Sequence, residues 1–82
     1  MPTTTQADEF LTADLGQAAL LVALEVPLLE VRNDGRRAIF VFPATAEPRA
    51  RKFFQPGGDL VSARRFHMAL RDLRGLAREA TR

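Results

Sequence analysis

LLEVRNDGRRAIFVF, Leu28 to Phe42, sets an apolar run on each side of Asn33-Asp34-Gly35. Asn and Asp tolerate turn conformations and Gly takes positive φ without cost, so the stretch reads as a β-hairpin. Its strands are expected over 28–32 and 36–42. In the second strand Ala38, Phe40 and Phe42 point one way and Arg37, Ile39 and Val41 the other, so both faces are largely apolar. A sheet with one solvated face does not look like this, and two strands alone are marginal in water. Further partners are therefore expected: Phe10-Leu11, Leu60-Val61, or a strand from a second copy of the chain.

Working outward, Pro27 blocks any helix that precedes the hairpin. Thr12 is a good helix N-cap and Asp14 suits the first turn, so a helix is expected from there to Leu24 or Glu25. It is apolar almost all round after Gln17, which asks for cover on more than one side. Beyond the hairpin, Thr45 can cap a short helix over 46–55, with Pro48 tolerated in its first turn. Ala46, Ala50, Phe53 and Phe54 stand at i, i+4, i+7 and i+8, which puts the Phe-Phe pair on a core face. Pro56-Gly57-Gly58 stops that helix, and Ser62 starts a last one running to about Arg78. The expected fold is α+β: helix, β-hairpin, short helix, long helix, with the helices packed on a small antiparallel sheet. Residues 1–8 read as a loose polar tail and 9–82 as one small domain.

At 82 residues the chain has a thin core, and with no cysteine and one histidine it has neither disulfides nor a zinc cluster to reinforce it. Self-association as a homodimer is the expected remedy. The longest apolar run, Ala18 to Leu24, is far too short to span a bilayer, and no positively charged segment precedes it; a cytoplasmic protein without membrane contact is expected. Residues 1–35 carry six acids and one base, and residues 36–82 eleven bases and four acids, giving −5 against +7. Either the two halves neutralise each other, or the molecule has an acidic face and a basic face suited to a polyanion.

The last helix sharpens that choice. Phe66, Ala69, Leu70, Leu73, Leu76 and Ala77 fall within an arc of about 120°, which is a core face. Arg64, His67, Arg71, Arg74 and Arg78 gather in an adjacent sector of about 80° that holds no acid. Guanidinium groups one turn apart roughly match successive phosphates on a strand and fork onto phosphate oxygens, so the stripe suits a nucleic-acid backbone without base readout. Arg49, Arg51 and Lys52 are possible flanking contributors. A solubility face has the same composition, and a protein partner is the third alternative.

Catalytic chemistry has no support. His67 stands alone, and Ser62 lies five residues from it, which does not align two side chains on one helix face. Gly57-Gly58 lacks the lysine and hydroxyl of a phosphate-binding loop. Asp8, Glu9 and Asp14 find no completing ligands elsewhere. No enzyme, metal or cofactor is expected.

The order of motifs resembles a family of small uncharacterised proteins, a domain of unknown function found in bacteria, archaea and phages. The resemblance rests on Thr12, Asp14, Leu15, Ala19 and Leu21, on Phe40-Val41-Phe42, on Phe53-Phe54 with Gly57, and on Phe66 to Leu73. It implies the fold and supplies no catalytic residue; occurrence in mobile elements associates such proteins with nucleic-acid processing. Where that family has a glycine after the first helix, this chain has Leu24-Glu25-Val26-Pro27.

Overall fold

The computed structural model describes residues 3–5, 8–58 and 60–82. In chain order it contains β1 (Thr3–Thr5), β2 (Glu9–Thr12), α1 (Leu15–Ala23), β3 (Glu30–Asn33), β4 (Ala38–Pro43), a 3-10 turn (Ala44–Ala46), α2 (Glu47–Lys52) and α3 (Ala63–Ala80). The class is α+β. The sheet is antiparallel in every pair, with strand order β1-β2-β4-β3.

The hairpin forms because its turn satisfies itself. The Asn33 carboxamide oxygen accepts from Gly35 N at 2.7 Å, and Asp34 Oδ1 accepts from the backbone of Arg36 and Arg37, each at 3.0 Å. Gly35 takes φ 96°, which only glycine adopts without strain. Asn33 pairs with Ala38, so the loop has four residues rather than three.

β4 finds its second partner in β2, with Phe10 opposite Phe42 and Leu11 opposite Val41. Of the three candidate strands, Phe10-Leu11 therefore joins the sheet, whereas Leu60-Val61 stays outside it. Thr3–Thr5 extend the sheet further as β1, against the expectation of a loose tail over 1–8. Threonine is β-branched and strand-competent, and what the residues lacked was hydrophobicity, not propensity. Residues 1, 2, 6 and 7 lie outside the described residues.

One face of the sheet carries Phe10, Thr12, Phe40, Phe42 and Ala38, all buried beneath the helices. α1 packs chiefly on α3 and also meets α2. Its all-round apolar character is thus covered within one protomer, with Gln17, Ala18, Ala19, Leu20, Leu21 and Ala23 all buried.

Thr12 does not cap α1. It is the last residue of β2, and Asp14 is the cap, accepting from Gln17 N at 2.9 Å. The buried Thr12 hydroxyl donates to Gln17 Oε1 at 2.6 Å and accepts from Asp14 N at 3.1 Å. Gln17 Nε2 in turn donates to the Ala50 carbonyl at 2.9 Å. One buried amide thereby ties strand, first helix and second helix together, with each polar atom paired as burial demands.

The later helices depart from expectation in several places. The 46–55 helix is shorter, and Thr45 gives it no side-chain cap; α2 stops at Lys52. Phe53 is half-buried, its ring so close to α1 that a Cβ on Gly16 would stand 2.6 Å from Cζ. Phe54 is 59% exposed and meets only the edge of Phe53 among aromatic rings, with centroids 5.0 Å apart. α3 starts at the expected Ser62 cap and runs one turn's fraction further, to Ala80. Leu76, placed on the core arc by the sequence, is 43% exposed.

On the far face of the sheet Val41 is nevertheless fully buried. Arg32, on β3, reaches over β4 and donates to Glu9 on β2 at 2.9 Å and to Glu30 on its own strand at 2.9 Å. The aliphatic stem of an arginine held in this way covers apolar surface while its head stays wet. Its hydrogen bonds to Glu30 first, then to Glu9, raise the Arg32 pKa above its ordinary value.

Candidate nucleic-acid interface

α3 owes its register to two anchors. Ser62 Oγ accepts from Arg65 N at the start, and the buried Ala69 and Leu73 fix the inner face. That register turns Arg64, His67, Arg71, Arg74 and Arg78 outward, and all five are exposed. None of the five makes an ion pair with another described residue. From Arg64 to Arg78 the stripe spans about 21 Å at 1.5 Å per residue.

The flanking cations have surroundings of their own. Arg51 is held by Glu47 at 3.4 Å, one turn back on α2. Arg49 shares a surface depression with Arg65, Leu60 and Glu25, and Arg65 lies on the opposite side of α3 from the stripe. Lys52 borders a different depression with Phe53, Ala63 and Phe66, near the start of α3.

A cation that the sequence did not assign does join the stripe. Arg37, at the end of the hairpin turn, lines one pocket of ≈ 380 Å³ together with Arg74 and Arg78. Strand alternation assigns Arg37 to the face of Ile39 and Val41, but the ladder begins only at Ala38, so the alternation does not reach it. Leu15, Ala38, Phe40 and Ala77 make the apolar lining of the same pocket, with Ala13 beside them. Arg37 itself contacts Asp34 at 3.6 Å, and the Arg36 and Arg37 amides hold that carboxylate below its usual pKa.

The charge division follows the same geometry. Glu9 and Glu30 are spent on Arg32, Asp34 on Arg37 and its own turn, and Asp14 on the α1 cap. The acids of the first half do not reach the α3 stripe. Among the described residues no group of three or more His, Asp or Glu side chains is placed to hold a metal ion, and no helix is long and apolar enough to cross a membrane. No family model, curated protein or solved structure matches this chain.

Proposed function

We propose that this protein binds a nucleic-acid backbone through α3, without catalysis and without sequence readout, as a small accessory protein. The observation that carries it is the sector of five exposed, acid-free side chains, Arg64, His67, Arg71, Arg74 and Arg78, with no ion pair among the described residues. Arginines left unpaired over three to four helical turns neutralise several phosphates and release their counterions, which needs no base contact. Arg37 lengthens the contact onto the hairpin. The resemblance drawn from the sequence motifs points the same way, by association only.

A labelled oligonucleotide should bind with an affinity that falls steeply as salt rises and depends little on sequence. Each stripe arginine replaced by alanine should lower the slope of that salt dependence by about one unit. Absence of binding to both single- and double-stranded oligonucleotides at low salt removes this function, as does an Arg71→Ala, Arg74→Ala variant that binds equally well.

A protein-interaction or homodimerisation role without nucleic acid is favoured by a different feature. The segment between α2 and α3 exposes Phe54 and, at 92%, Leu60. Apolar side chains this open are characteristic of contact surfaces when they cluster.

A further inference from the structure

At the C-terminal end of the stripe, the ≈ 380 Å³ pocket has a chemistry of its own. Its lining side chains are of two kinds only. Leu15, Ala38, Phe40 and Ala77 offer no hydrogen-bonding group, while Arg37, Arg74 and Arg78 offer guanidinium donors and nothing that accepts. No acid is among them; of the two acids adjacent in sequence, Asp14 is committed to capping α1 through Gln17 N and Glu79 pairs with Arg82 at 3.3 Å. Arg74 and Arg78 stand one turn apart on α3 and have no ionic partner among the described residues. Arg37 has only an exposed, long contact to Asp34, which an incoming anion can displace.

A purely ionic ligand would leave the apolar lining wet, and a neutral one would leave the cations to water. Only a molecule with both parts uses the whole surface. We propose that this pocket binds a small amphipathic anion: a compact apolar body about the size of a phenyl ring, lying against Phe40, Leu15 and Ala77, with one carboxylate or phosphate forked by Arg74, Arg78 and Arg37. The volume is in the range of small-ligand sites, and forked guanidinium contacts select oxyanions over other acceptors. The site stands independently of nucleic-acid binding, although the two share Arg37, Arg74 and Arg78.

The test is a chemical-shift titration of the full chain with four probes: phenyl phosphate, phenylacetate, inorganic phosphate and benzyl alcohol. The aromatic anions should saturate and shift the amides of Ala38, Phe40 and Ala77. Inorganic phosphate and benzyl alcohol should each bind at least about tenfold more weakly than the better aromatic anion. The ranking of phenyl phosphate against phenylacetate assigns the head group. Ala77→Leu, which fills the pocket and keeps every charge, should weaken the aromatic anion by about tenfold or more and leave oligonucleotide binding unchanged. Arg74→Gln with Arg78→Gln, both on exposed positions, should weaken it similarly and guards against an Ala77→Leu chain that does not fold. Aromatic anions that bind no better than inorganic phosphate overturn the proposal. So does unchanged affinity in the Gln double variant, or shifts spread evenly to Arg64 and Arg71.

Discussion

Glu25 occupies a position made for glycine. Its φ of 67° is left-handed, and the chain there closes α1 with two bonds, Glu25 N to the Val22 carbonyl and Val26 N to that of Leu21, both at 2.9 Å. Such a cap favours glycine, because any Cβ strains in that conformation. Glu25 is exposed and makes no ion pair among the described residues, so nothing in its side chain offsets the strain. Glu25→Gly should therefore stabilise the protein by about 0.5–1 kcal/mol, after the greater freedom of glycine in the unfolded chain is subtracted. Thermal unfolding should show this as a midpoint raised by a few degrees; an unchanged or lower midpoint contradicts it. The stop was legible in the sequence through Pro27, and the glycine through the resemblance alone. The role of Thr12 was not: both it and Asp14 are good caps, Asp14 the somewhat better, and the pairing of Thr12 with Phe40 in the sheet decides between them.

At the level of elements, the hairpin and α3 were readable because each has a signal that local chemistry completes, a turn in one case and a long amphipathic period in the other. The Phe-Phe pair was not. Its core placement assumes that the 100° advance continues past Lys52, but α2 ends there and the backbone tightens. Phe53, Phe54 and Gln55 donate to the carbonyls of Ala50, Arg51 and Lys52, three residues back. A three-residue repeat advances by about 120°, which swings Phe54 off the inner face. The two phenylalanines should consequently differ under truncation. Phe53→Ala should cost about 2–3 kcal/mol, less than a fully buried ring because it is only half-covered, and Phe54→Ala under about 1 kcal/mol. Denaturant unfolding measures both; equal losses contradict the assignment. A different local departure hid a residue of the proposed site, since Arg37 sits in the hairpin turn where strand alternation does not apply.

For the molecule as a whole, the uneven charge was legible but its distribution was not, because which acids reach which bases depends on pairings across the sheet. Arg32 with Glu9 and Glu30 shows it: three residues from two strands close over Val41 and cover a face that the alternation pattern left open. The proposal of a second copy then rests on Phe54 and Leu60 rather than on α1 or β4. A homodimer through those residues should appear in light scattering at high micromolar concentration, and Phe54→Ser with Leu60→Ser should return it to a monomer. A wild-type chain that scatters as a compact monomer removes the dimer.

β4 lies between β2 and β3, and since it is antiparallel to both, those two run parallel with α1 connecting them. This order bears on how the chain assembles. The β3–β4 hairpin closes over four residues, whereas β2, beyond its pairing with β1, must wait for β4, whose Phe40 is made 28 residues after Thr12. Closing the longer loop costs more entropy before any contact repays it. During synthesis from the N-terminus, β2 and the apolar α1 therefore emerge with their surfaces bare, and they stay so until β4 and then α3 leave the ribosome.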